Sequence, residues 1–251
     1  TNPSLLFCDL VADGGLLPPI RYWTVDEAHG AEAEARRAFS LALSAEDITR
    51  LAGRVSADES SRNVFVRAER RVVAPSAKEG ATLFYALTAK ARAAGTVYAD
   101  AAREFCAHLK DLLFFDQNKK GKGYETVELW INGDIRQSAT FSQVIELGQV
   151  LSSAAEKLVT ASQELVGYLE GLDGAAEVQR EVASLAIELK DQVKAIDIIL
   201  VHPDEAYAYA ATLSRKKDRV AEKLEALLVN VGPAMNDTLF ARTHSVVFAS
   251  A

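Results

Sequence analysis

The sequence predicts an α/β domain interrupted by a large, mostly α-helical insertion. Three observations predict it. Ile20 to Val25 is a short run rich in β-forming residues, and it leads straight into Asp26-Glu27-Ala28-His29. His244 to Ala251 reads as a second strand, buried and of the parallel kind that is apolar on both faces. Between them lie two long apolar seams at helical spacing.

Residues 1–30 read as α/β. Ser4 to Leu10 is apolar, and Gly14-Gly15 and Pro18-Pro19 punctuate a loop before the strand. Residues 31–55 read as helical, with Ser44-Ala45-Glu46-Asp47 placed to cap a second helix, because the hydroxyl satisfies an otherwise orphaned N–H. Segment 56–80 is polar, with a strand-like run from Asn63 to Val66. A long helix is expected over about 80–115, broken at Gly95. Asp116 to Gly123 is a loop by composition. Tyr124 to Ile131 alternates as a strand. Asn132-Gly133 predicts a tight hairpin, since both turn positions favour positive φ, with Ile135 to Phe141 as the returning strand.

The clearest periodicity lies beyond residue 142. Val144, Leu147, Leu151, Ala154, Leu158, Ala161, Leu165, Tyr168 and Leu172 alternate spacings of three and four. Asp173-Gly174 interrupts them. Val178, Val182, Leu185, Leu189, Val193, Ile196 and Leu200 make a second seam. Two such helices around a short turn predict an antiparallel helical hairpin, ended by His202-Pro203. Tyr207 and Tyr209 alternate as in a strand, whereas 219–228 has the propensity of a helix. Pro233 to Phe240 reads as helical. The resulting plan has an α/β part over 1–55, a helical insertion over 56–203 and a return to the α/β part over 204–251.

The chain has 251 residues, is 49% hydrophobic and carries a net charge of −7. It therefore has the means to bury a core, and it does not coat nucleic acid by bulk charge. No apolar run is long enough for a membrane span. Cys8 and Cys106 are far apart and no Cys-x-x-Cys occurs, which points away from a zinc site or disulfide framework and toward a reducing cytoplasm. The chain starts at Thr1 and stops at Ala251, directly after an apolar run, and is expected to be an internal piece of a longer protein.

Asp26-Glu27-Ala28-His29 carries the chemistry. In parallel α/β sheets ligands sit at the C-terminal edge of the strands. A carboxylate there holds Mg²⁺ through water, and the next carboxylate orients the water that attacks the γ-phosphate. No G-x-x-x-x-G-K-[ST] phosphate loop occurs; Lys120-Gly121-Lys122-Gly123 lacks that spacing.

The surroundings extend the motif. Thr1-Asn2-Pro3-Ser4-Leu5-Leu6 resembles the T-N-H-x-L-L stretch that precedes the DEAH box in DinG/XPD-like superfamily 2 helicases, with Pro3 where that family has His. Leu16-Leu17-Pro18 continues the likeness. Gly232-Pro233 and Ser245 to Ala251 resemble the segment that leads into motif III, usually Ser-Ala-Thr. The resemblance is specific over about 1–35 and 224–251 and rests on organisation between them.

The resemblance implies a partial RecA-like motor domain carrying an arch-like insertion, in an ATP-dependent enzyme that translocates on and unwinds DNA in repair or replication. It implies ATP and Mg²⁺ as cofactors. Asp26 would bind the metal through water, Glu27 would be the catalytic base, and His29 would relay nucleotide state. Ser250 and Ala251 would couple the two. The implied partners are single-stranded DNA and the remaining motor domains of the same polypeptide, acting as a monomer. Many relatives hold an iron–sulphur cluster through four cysteines before the DEAH box; Cys8 alone precedes it here, so no cluster is assigned.

Candidate phosphate contacts for the strand are Arg67, Arg70 and Arg71, then Lys119, Lys120 and Lys122, although such residues are more often solvated. Cys106 with His108 reads as helix packing rather than a metal site, and Trp130 as a packed strand residue. Two other readings stay open: a helical interaction module with a fortuitous DEAH, and a related nuclease or ATPase without unwinding.

Overall fold

The computed structural model describes residues 2–11, 17–18, 21–56, 62–72, 78–115, 125–216 and 219–250. The chain is mixed α/β and mostly helical, with small sheets. It divides into two compact units. One comprises Thr1–Ala42, Asp204–Ala210 and Glu225–Ala251; the other comprises Leu43–Pro203 and Ala211–Leu224. The first division falls after Ala42, ahead of the boundary expected near 55, because the helix that begins at Ala45 packs into the second unit.

The first unit is built on two parallel strands. β1 (Tyr22–Val25) pairs with β6 (Ser245–Phe248) in the register Tyr22↔Ser245 to Val25↔Phe248. Helices α1 (Pro3–Val11) and α2 (Ala31–Phe39) pack on each other. Leu6, Phe7, Trp23, Val25, Ala35 and Leu239 are buried together, with Met235 of α9 (Gly232–Thr238) among them. The two strands are parallel as the sequence predicts, but the expected burial of the 244–251 run does not hold. Val247 is 54% exposed and Phe248 39% exposed. Trp23 and Val25 face the core while Tyr22 and Thr24 are exposed, so the sheet is covered on one face.

The second unit is a helical bundle. α5 (Lys78–Phe115), α7 (Ala139–Leu169) and α8 (Ala176–Ile196) form its centre. On α5 and α7, Tyr168 Oη donates to the Gly80 carbonyl at 2.7 Å, and Lys90 meets Glu164 at 2.6 Å. A Cβ on Gly148 would lie 3.6 Å from Phe105. Rising numbers on one helix meet falling numbers on the other, so the pair is antiparallel. The same holds for α7 and α8, where Val166 meets Gln179 and Gly148 meets Ile196 and Leu200. Gly174, at φ 77°, turns the chain between them, a left-handed conformation that glycine adopts without strain. The expected helical hairpin is thus present, with α5 as its third member. The last turn of α8 widens into a π-helix over Asp197–Val201.

Four local expectations are overturned, each for a physical reason. Asn63 to Val66 is not a strand. Asn63 caps α4 (Val64–Arg71), its Oδ1 accepting from Phe65 N at 2.9 Å and Val66 N at 3.3 Å. Its Nδ2 donates to the Val55 carbonyl at 2.8 Å, which ties α4 to the end of α3 (Ala45–Val55). Asn132-Gly133 is not a hairpin. β3 (Glu125–Trp130) precedes it, but Asn132 Oδ1 accepts from Ile135 N at 3.0 Å and starts the short helix α6 (Gly133–Arg136), so Ile135 to Phe141 is not a returning strand. Residues 219–228 are strand β5, next to β4 (Tyr207–Lys216) in a sheet ordered β2-β5-β4-β3, with β2 at Leu41–Ser44. Glu222, Leu224, Ala226 and Leu228 are buried alternately, and that period of two overrides helical propensity. Ser44 does cap α3 as expected, accepting from Asp47 N at 3.4 Å.

α5 also runs unbroken through Gly95, the fourth difference. A Cβ there would sit 2.9 Å from the Val55 carbonyl oxygen and 3.0 Å from Val55 Cβ, so the glycine lets α3 approach α5 closely. Helix propensity alone favours Gly95→Ala by about 1 kcal/mol. Backbone overlap costs about 1–3 kcal/mol and wins. Gly95→Ala is therefore expected to lower the denaturation midpoint of this chain. A raised midpoint would show that α3 does not approach closely.

Candidate functional site

The acidic segment sits directly off the end of β1, where a parallel strand presents its C-terminal edge. The ladder continues into it. Ala249 N donates to the Val25 carbonyl at 2.9 Å and Ala28 N donates to the Ala249 carbonyl at 3.0 Å. These bonds fix Asp26 to His29 beside Ala249 and Ser250. His29 Nδ1 lies 3.1 Å from Ser250 Oγ and 3.3 Å from Glu27 Oε2. Three residues singled out from sequence thus meet at one atom, although 221 positions separate His29 from Ser250. Ala251 lies outside the described residues.

Glu27 is the one non-glycine residue at positive φ among the described residues, at φ 54° and ψ 46°. This left-handed conformation costs about 1–2 kcal/mol for a residue with a Cβ. The short 3₁₀ turn Ala28–Gly30 and the Ala28–Ala249 bond hold it there. Its own N–H donates to Asp26 Oδ1 at 3.0 Å. Strain of this kind concentrates where a side chain must be aimed. Nothing in the residue types announced it.

Both carboxylates are exposed, as is the His29 ring. Hard carboxylate oxygens open to solvent suit Mg²⁺, which takes one or two carboxylates and completes its shell with water and phosphate oxygens. Asp26 and Glu27 therefore fit such an ion. Among the described residues no group of three or more His, Cys, Asp or Glu side chains is placed to hold a metal by itself.

The other candidates fall elsewhere. Arg67 contacts Glu181, and Arg71 Nη1 meets Glu177 at 2.8 Å, so both arginines hold α4 against α8. Burial, then the neighbouring Arg71 and Arg54, lowers the Arg67 pKa. Arg70 is exposed and has a polar partner of its own. Lys119, Lys120 and Lys122 lie outside the described residues. Cys106 Sγ lies 4.0 Å from the Ala45 carbonyl, and burial above all pushes its thiol up to about 11. His108 Nδ1 lies 3.4 Å from the Glu104 carbonyl of its own helix. Trp130 is 54% exposed, not packed as its strand position suggested. No helix among the described residues is long and apolar enough to cross a membrane.

Sequence reasoning passed over Arg50, Arg54 and Arg62. Arg50 Nη1 and Arg54 Nη1 reach Glu188 of α8 at 2.9 and 2.6 Å. Burial alone would raise the Glu188 carboxyl, but the hydrogen bonds from Arg54 and Arg50 outweigh it and hold it below its ordinary value. The signal was available in part: Arg50 and Arg54 are four apart on one helix face.

No protein-family model matches the chain, and no curated protein matches it.

Proposed function

We propose that this chain is part of an ATP-dependent DNA helicase of the DinG/XPD kind, with a RecA-like motor domain interrupted by an arch-like helical insertion. The observation that carries the reading is the contact of His29 Nδ1 with Ser250 Oγ at the C-terminal edge of two parallel strands. The acidic segment and the serine come from opposite ends of the sequence. A nucleotide-dependent motor needs such a link between its hydrolytic residues and a second element.

In this reading Asp26 would hold Mg²⁺, which would offset charge on the ATP phosphates. Glu27 accepts the proton of the attacking water. His29, shared between Glu27 and Ser250, passes a change at the carboxylate to β6. The phosphate loop and the second motor domain belong to the rest of the polypeptide, and single-stranded DNA is the partner. No iron–sulphur cluster is assigned to this chain. The enzyme acts in the cytoplasm.

Ser250→Ala in the intact protein tests the reading. Removing one hydrogen bond of ordinary strength changes an equilibrium by about fivefold to tenfold. ATP binding should be unchanged and ATP-driven strand separation should fall by that factor. Wild-type unwinding would leave the His29–Ser250 contact without a functional role.

A further inference from the structure

The second unit carries a cavity that the DEAH reading does not use. It has a volume of about 460 Å³ and is lined by Thr49, Arg50, Gly53, Arg54, Arg62 and Arg67. Four of six lining residues are arginine and none is acidic. A cavity of this size is large enough for a small ligand. Guanidinium groups present paired N–H donors in a fixed fork that matches phosphate oxygens.

Acids that do not line the cavity engage three of its arginines. Glu188 is shared between Arg50 and Arg54, Asp47 reaches Arg50 at 3.4 Å, and Glu181 contacts Arg67. Arg62 has an interaction partner of its own. Each guanidinium carries five N–H donors, more than one carboxylate uses.

A second cavity, of about 280 Å³, adjoins the first along α3. Thr49 and Gly53, one turn apart, line both. Its other walls include Ala52, Ala99, Ala102 and Cys106, which are largely apolar. A Cβ placed on Gly53 would meet nothing within 4 Å, so packing does not require glycine there. A glycine inside a helix is destabilising relative to alanine. Here it keeps open the ground between a basic cavity and an apolar one.

We propose that this pair of cavities binds a phosphomonoester, its dianionic head among Arg50, Arg54, Arg62 and Arg67 and its organic part over Gly53 against the alanines. A monoester carries nearly two charges where a backbone diester carries one, and so uses more of the four forks. The ligand is a free nucleotide or the phosphorylated end of a nucleic-acid strand. The proposal does not depend on the role of Asp26 and Glu27.

Isothermal titration of this chain at low ionic strength tests it. The probes are inorganic phosphate, adenosine monophosphate, and one oligonucleotide carrying either a phosphate or a hydroxyl at its end. The nucleotide or the phosphorylated oligonucleotide should bind more tightly than phosphate, and the tighter of the two identifies the source. Arg50→Gln and Arg62→Gln should each weaken that binding by about tenfold or more. Gly53→Leu should abolish it while leaving the chain at least as stable, because the new side chain enters open space in a helix. Arg37→Gln, the same charge change at an exposed residue of α2, should alter nothing. Absence of binding overturns the proposal. So does binding of the hydroxyl-ended oligonucleotide as tight as the better of the nucleotide and the phosphorylated strand, equal weakening by Arg37→Gln, or full affinity in a folded Gly53→Leu chain.

Discussion

Glu27→Gln in the intact protein is expected to lower ATP turnover by about 10²–10⁴-fold while ATP binding survives, the loss expected on removal of a positioned general base. The amide keeps the size of the carboxylate and loses its basicity. The same position yields a second, opposite effect. Glu27 holds a left-handed backbone that costs about 1–2 kcal/mol. Glu27→Gly relieves that cost at the expense of a more flexible unfolded chain, so this chain should become more stable by at most about 1 kcal/mol on denaturation while the intact protein loses turnover. Stability traded for an aimed carboxylate is what a working site predicts. Wild-type turnover in Glu27→Gln, measured beside retained nucleotide binding, would remove Glu27 from the chemistry.

Phe105→Ala is expected to cost about 3–5 kcal/mol. Phe105 is fully buried on α5, beside the point where Gly148 lets α7 come close to Leu200 and Ile196. Ion pairs fasten the surrounding helices: Lys90 to Glu164, Arg54 to Glu188, and Arg71 to Glu177. The helices cross closely at this point, so the void left by the ring adds to the lost burial. Denaturant midpoints of the two chains at equal slope measure it. A loss under about 1 kcal/mol would mean the bundle repacks freely at its centre.

The seams that became α7 and α8 were legible because their three-and-four spacing runs for several turns and has no β-strand counterpart. The pairing of β1 with β6 was legible from two apolar runs of the right length. Other features failed for identifiable reasons. Asn63 and Asn132 carry a side chain that serves a tight turn or a helix N-cap equally well, and the packing of the residues downstream decides which. In β5, Ala221, Glu222, Lys223, Leu224, Glu225 and Ala226 are good helix formers, and pairing beside β4 overrides them. Burial of β6 was misjudged because a strand's sequence does not say how many faces will be covered. At the candidate site the residue types of Asp26, Glu27, His29 and Ser250 were legible. The left-handed turn at Glu27 and the shared Nδ1 of His29 were not, since both arise from the pairing of distant strands. The arginine cavity was hidden similarly: Arg62 and Arg67 join Arg50 and Arg54 only when α4 folds back along α3, tied by Asn63 to Val55.

ATP hydrolysis by the intact protein, measured with and without single-stranded DNA in the presence of Mg²⁺, decides whether Glu27 works as proposed. Turnover should rise with the strand and disappear in Glu27→Gln. Turnover that is absent under both conditions, or that is indifferent to both the strand and Glu27, would contradict that role.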